Sequence, residues 1–253
     1  MTDHVAAFKA LHVSGDPLVL FNIWDAGSAK AVAAAGAKAI ATGSYGVAEA
    51  QGFSDGEDFS IEDALRNLDR IVRVIDLPVT LDFESGYGAT PAEVGSSVQR
   101  ACDAGAAGIN MEDRMPGEAG LIPLGEAAER IAAAAATGLF VNARCDVYRG
   151  VKPEDYGQHL IEAVLERGEA YAIAGASGLF VPFLGDHATI SKICAAAPLP
   201  VNVLWGPGRG IKAELAALGV ARISYGHGPW AAAMDWLKGQ AKAVFAGEIA
   251  PYS

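Results

Sequence analysis

A chain of 253 residues, 51% of them hydrophobic, is long enough to bury a large core in a single domain, read here as 1–253. Its formal net charge of −11 repels phosphate backbones and argues against a nucleic-acid partner, although a few local cations can still hold a small anion inside a cleft. No apolar run reaches the roughly 20 residues of a membrane span, and the opening MTDHVAAFKALHVSGD lacks the apolar stretch of a secretory signal, so a cytoplasmic protein is expected.

In chain order, short apolar runs at 18–24, 39–42, 79–83, 108–111, 140–143, 178–181, 201–204 and 222–225 read as strands. Helices are expected after each, beginning near Ser28, Ser60, Thr90, Pro123, Glu154, His187, Ile211 and Trp230. Strands separated by helices pair in parallel, because parallel neighbours need a crossover. Eight such units fit an α/β fold of the (β/α)8 TIM-barrel type, with an open doubly wound sheet as the alternative. Glycines in Ala35-Gly36-Ala37, Ala104-Gly105-Ala106, Ala174-Gly175-Ala176 and Leu218-Gly219-Val220 stand where helices should stop before the next strand. The longest irregular stretches, 44–59 and 114–122, both follow strands and would lie on the catalytic face. Cys102, Cys145 and Cys194 have no CxxC spacing and are odd in number, which argues against a disulfide framework or a structural zinc site.

Barrel enzymes carry their chemistry at the C-terminal ends of the strands. Here those ends hold Trp24 and Asp25, Ser44 and Tyr45, Asp82-Phe83-Glu84, Glu112-Asp113-Arg114, Arg144-Cys145-Asp146 and Gly226-His227. Asp82 and Glu84 are two apart, so on a strand they would share a face. With Glu112 they make three carboxylates whose repulsion a hard divalent cation would relieve, and since Mg2+ usually keeps several waters only one of them need touch it directly. Arg144 follows the apolar run Leu139-Phe140-Val141, and a buried arginine needs an anion: Glu112, Asp82, or a substrate carboxylate or phosphonate held in its fork.

The stretch Leu81-Asp82-Phe83-Glu84-Ser85-Gly86-Tyr87-Gly88 resembles the Asp-x-Asp-x-Gly-Tyr-Gly motif of the isocitrate lyase and phosphoenolpyruvate mutase superfamily. Met111-Glu112-Asp113-Arg114 and Asn142-Ala143-Arg144-Cys145-Asp146 are similar to its next two motifs, in the same order and spacing, and the resemblance runs from about Leu20 to Trp230. It implies Mg2+, with Mn2+ as the alternative, held directly by Asp82 and through water by Glu84 and Glu112. It implies that Arg144 binds the anionic end of the substrate. Ser44 and the amides around Tyr45 and Gly46 would hold a 2-keto-acid carboxylate, and Asp55 matches an aspartate near the substrate. Relatives with this resemblance form tetramers, often exchanging the last barrel helix, so a homodimer or homotetramer is expected. The segment 230–245 is apolar on more than one face, as an inter-subunit helix would be.

The departures bear on the reaction. The lyases of the superfamily carry Lys-x-Cys-Gly on the loop after strand four, with the cysteine as acid/base, whereas 114–122 here has neither Lys nor Cys. The mutase's loop Lys and Asn are absent too, and Val181-Pro182-Phe183 stands where several members place a polar residue. Cys145 follows strand five and reads as a packed thiol. Glu118, the loop's carboxylate, is left as the candidate acid/base under a lid that otherwise only excludes water. The expected activity is a Mg2+-dependent lyase acting on a small 2-keto or 2-hydroxy di-acid through an enolpyruvate-like intermediate. A phosphonopyruvate-type P–C mutase or hydrolase and a non-catalytic dicarboxylate-binding barrel are the alternatives.

Overall fold

The computed structural model describes residues 3–249. Eight parallel strands, β1 Leu18–Leu20, β2 Ile40–Ala41, β3 Val79–Asp82, β4 Gly108–Glu112, β5 Phe140–Arg144, β6 Gly178–Val181, β7 Val201–Leu204 and β8 Arg222–Ser224, pair in the order β1-β8-β7-β6-β5-β4-β3-β2. The ring closes just above β1 and β2, where Ile23 and Thr42 form a parallel bridge and the Ile23 N–H donates to the Ala41 carbonyl at 2.8 Å. The expected (β/α)8 barrel is therefore the observed one, and the open sheet is set aside.

Local signals account for most helix starts. Asp25 and Ser28 form a capping box at α2 (Ala26–Ala34), and Thr90 and Glu93 form another at α5 (Pro91–Asp103), whose first residue is proline. Ser60 caps α4 (Ile61–Val72) and Asp186 caps α8 (His187–Ala196). The remaining barrel helices are α6 (Leu124–Ala135), α7 (Gln158–Ile173), α9 (Lys212–Ala217) and α10 (Gly228–Phe245). Gly36, Gly105, Gly175 and Gly219, each at φ between +90° and +98°, end the helices where expected.

Three elements differ from the sequence reading. The helix expected near Glu154 begins at Gln158, because 153–155 forms one 3-10 turn and the extended Gly157 breaks it from α7. The first half of the stretch expected to be irregular is α3 (Ser44–Gln51), whose period is masked by Gly46; a Cβ there would lie 3.0 Å from Trp230, so packing requires the glycine. A further helix, α1 (His4–Ala10), plugs the bottom of the barrel with Phe8, whose ring meets Phe140 edge-on at 5.1 Å.

Strand parity positions the site. Residues 80 and 82, 110 and 112, and 142 and 144 alternate with Leu81, Ile109, Met111, Val141 and Ala143, which pack outward under the helices. The inward middle layer is polar and buried: Asn142 donates to Asn110 Oδ1 at 2.8 Å, and Arg222 donates to the same oxygen at 3.0 Å. One step up each strand stand Asp82, Glu112 and Arg144, with Asp82 in register with Asn110 and Glu112 with Arg144.

Candidate active site

Ser44, at the start of α3, donates both its N–H and its hydroxyl to Asp82 Oδ2, at 3.1 and 3.0 Å. A helix N-terminus leaves its first N–H groups without intrahelical partners, so the Tyr45 and Gly46 amides of the same turn remain available to an anion. Gly46 is buried, while Tyr45 is 38% exposed and rests edge-on against His227 and Trp230.

Glu84 reaches the site by a turn rather than along the strand. β3 ends at Asp82, and Glu84 then adopts φ +48°, followed by Gly86 at +104° and Tyr87 at +50°. The shared strand face expected for Asp82 and Glu84 is thus replaced by a left-handed turn, a conformation that costs a non-glycine residue about 1 kcal/mol or more unless its surroundings enforce it. Two clamps hold it. Glu57 Oε1 accepts from the N–H and hydroxyl of Ser85 (3.0 and 2.5 Å) and from the Tyr87 N–H (3.2 Å). From beneath, the buried Arg130 donates to the carbonyls of Ser85, Gly88 and Ala89. Gly88 completes the turn, since a Cβ there would sit 2.6 Å from the Val94 nitrogen.

Burial, together with the neighbouring Asp55, Asp82, Glu57 and Glu112 carboxylates, pushes Glu84 up to about 8. Glu112 rises to about 7, again chiefly by burial, with Arg144 pulling the other way. Asp55 sits on an exposed loop residue, yet its carboxyl is raised by desolvation and by Asp82 while the Ser44 hydroxyl beside it lowers it. A group of carboxylates that hold one another's protons on is a donor set suited to a hard divalent cation. Among the described residues no three His, Cys, Asp or Glu side chains converge on one point as ready ligands. Asp82, Glu84 and Glu112 could hold such an ion with one or two direct contacts and water for the rest, as Mg2+ commonly prefers.

Arg144 faces this group from the next strand. Its Nη2 lies 3.0 Å from Glu112 Oε2, and its Nε and Nη2 form a two-point pair with Asp146 at 2.7 and 2.9 Å. Of the partners the sequence allowed, it takes Glu112 and not Asp82, and Asp146 occupies part of the fork expected for substrate. These carboxylates hold its pKa above the ordinary value despite burial. Asp113, next to Glu112, turns the other way and is held by the Tyr171 hydroxyl (2.8 Å), Arg167 (3.1 Å) and the Asp146 N–H (2.9 Å), which fixes the strand ends relative to each other. Cys145 is fully buried and its thiol pushed well up, so it is a packing residue as expected. Glu118 stands exposed on the loop 114–122, whose Arg114 side chain donates to the Glu118 carbonyl at 3.1 Å; the structure does not bring its carboxylate to the others.

Glu57, Arg130, Arg149, Arg167 and Tyr171 escaped the sequence reading. Each lies on a helix or loop, and no strand-end position marks them. Asp113 and Asp146 were visible at strand ends, but not their pairings with Arg167 and Tyr171 and with Arg144.

The phosphoenolpyruvate phosphomutase family model matches residues 8–245, nearly the whole barrel. This chain belongs to that family. Within it, the chain is 36% identical over 249 residues to the uncharacterized protein Rv1998c of Mycobacterium tuberculosis (strain ATCC 25618 / H37Rv), covering 98% of this chain and 92% of that one. It is 28% identical over 206 residues to the 2-methylisocitrate lyase of Escherichia coli (strain K12), covering 77% and 67%. The structure of a protein provisionally assigned as a phosphonomutase from Burkholderia cenocepacia J2315 superposes with a TM-score of 0.92 at 46% identity, over 95% of this chain and 99% of that one. Phosphoenolpyruvate phosphomutase relatives are lyases and mutases of C–C or P–C bonds, and this chain is an enzyme of that class. Among its described residues no helix is long and apolar enough to cross a membrane.

Proposed function

We propose that this enzyme is a Mg2+-dependent lyase, with Mn2+ able to substitute, acting on a small 2-keto or 2-hydroxy di-acid through an enolpyruvate-like intermediate. The observation that carries the reading is the opposition of Asp82, Glu84 and Glu112 to Arg144 at one barrel mouth. Asp82, Glu84 and Glu112 would hold the cation, which when bound would supply positive charge to offset the enolate that develops on the substrate. The first turn of α3, through Ser44 and the Tyr45 and Gly46 amides, binds the substrate carboxylate. Arg144 orients the distal acid with the donors left over from Asp146. Asp55, whose carboxyl is raised chiefly by desolvation, carries the proton. Glu118 adds a second carboxylate when loop 114–122 closes.

A turnover panel tests this: 2-keto and 2-hydroxy C4–C7 di-acids and phosphonopyruvate, each with Mg2+ and with chelator. Metal-dependent C–C cleavage of a di-acid supports the reading. Turnover of phosphonopyruvate alone replaces it with P–C chemistry, the second reading, favoured by the 46% identical relative assigned as a phosphonomutase. Glu118→Gln then divides the acid/base role: a large loss in kcat with unchanged substrate binding assigns it to Glu118, and activity within a few-fold of wild type leaves it with Asp55.

The same reading includes a homo-oligomer, a dimer or tetramer in which α10 is exchanged. Trp236 and Leu237 are more than half exposed and Phe245 is 88% exposed, and among the described residues no other helix or strand packs extensively on α10. A groove of about 690 Å3 lined by Leu11, Leu18, Val19, Phe21, Val32 and Ala35 opens on the β1 side of the barrel. An apolar helix and an apolar groove on one chain suit a symmetric pairing of copies. Light scattering at micromolar concentration should give a multiple of 26.1 kDa, and a monomeric mass would refute it.

A further inference from the structure

Resting on the di-acid reading above, we propose that Arg149 is a second substrate-binding cation, paired with Arg144 at the Phe183 ring, and that this pair selects substrates with a distal carboxylate over those without one. The site reading alone needs only Arg144. Yet the guanidinium carbons of Arg144 and Arg149 each lie 5.7 Å from the Phe183 ring centroid, so one aromatic ring carries two cations. Phe183 itself sits at φ +66°, a left-handed backbone that an aromatic residue adopts only when its surroundings enforce it. Arg149 closes the 3-10 turn Asp146–Tyr148 that follows β5, its N–H donating to the Asp146 carbonyl at 2.9 Å. That turn brings its side chain back over the mouth: Nη1 lies 3.2 Å from Asp146 Oδ2 and 4.0 Å from Glu112 Oε2.

The bland alternative is an ordinary surface ion pair with Asp146. Asp146 is already engaged two-point by Arg144 and is fully buried, so Arg149 adds little to its charge balance. Arg149 is also 48% exposed, against 14% for Arg144, and among the described residues its Nε and Nη2 carry no hydrogen bond, leaving donors to offer. Its charge is felt at Asp55 as well as at Glu112, so it lies beside the carboxylate group. Two guanidinium groups side by side on an apolar ring form a receptor for a distal carboxylate. The ring also excludes water on one side, which strengthens the charge-assisted bonds.

The test is calorimetry with Mg2+ present, using oxalate, whose two carboxylates are adjacent so that neither is distal, and the longer four-carbon di-acids malate and oxaloacetate. Arg149→Gln should weaken the di-acids roughly 30-fold and oxalate less than about twofold, a selectivity change of at least about 15-fold, a little over one factor of ten. Phe183→Leu should give the same selective loss at smaller size, which a collapse of the fold would not. Equal loss for oxalate and di-acids in both variants, or no loss for either ligand class, overturns the proposal. Wild-type protein that binds oxalate but holds no di-acid more tightly overturns this inference alone. Wild-type protein that binds neither overturns the lyase reading and this inference with it.

Discussion

Arg144, mostly buried, and Arg222, fully buried, both face inward one layer apart in the same barrel, yet their proton affinities move in opposite directions. Arg144 is raised because Glu112 and Asp146 sit against it. Arg222 is pulled down to about 9 by complete burial, with only a distant contribution from Asp82, and its direct partners are the neutral Asn110 and Ser224. Burial disfavours any charge, and only an opposite charge at close range reverses it. The barrel therefore has an ionic layer above a layer hydrogen-bonded through neutral partners.

Breaking the upper layer should have the largest effect. Asp82→Ala should abolish activity and weaken Mg2+ binding at least about 100-fold while circular dichroism stays native, because the carboxylate supports no core packing. Unchanged metal affinity by calorimetry would remove Asp82 from the site. The two arginines sharpen the contrast next. Arg144→Met should destabilise the fold by about 3 kcal/mol in urea titration, since it strands the buried Asp146 without its two-point partner. Arg222→Met should cost within about 1 kcal/mol, because the charge it removes has no carboxylate partner to strand. Equal losses would erase the distinction between the layers.

The pH dependence tests the upper layer without a mutation. Glu84 and Glu112, raised in the fold from 4.5 to about 8 and about 7, keep protons that the unfolded chain has already lost. Stability of the metal-free protein should therefore fall as pH rises from about 5 through about 8, by several degrees in Tm. Mg2+ should restore most of it at the alkaline end, where the carboxylates are ionised. A metal-free Tm that climbs across this range would contradict the carboxylate arrangement. The smallest effect belongs to Cys145→Ala: a fully buried, protonated thiol takes no part in proton transfer, so activity should stay within a few-fold and alkylation of the native protein should be slow. Rapid alkylation with loss of activity would return Cys145 to the candidates.

The barrel and most of its rim were legible without coordinates because each rests on local rules. Strand runs, capping residues and helix-ending glycines act over three or four neighbours. The alternation of β3, β4 and β5 puts Asp82, Glu112 and Arg144 at the inward ends of their strands whatever the rest of the chain does. Tertiary structure alone decided how those groups are held and which ones join them. Glu84 arrives through a left-handed turn that Glu57 and Arg130 enforce from 28 and 45 residues away. Arg144 is steered by Asp146 rather than left open, and Arg149 shares a ring with it from beyond the strand. α3 is hidden behind a glycine that only Trp230, on the last helix, explains. Backbone periodicity is written in consecutive residues and can be read there, whereas close packing and charge pairing depend on which distant segments the closed ring brings together.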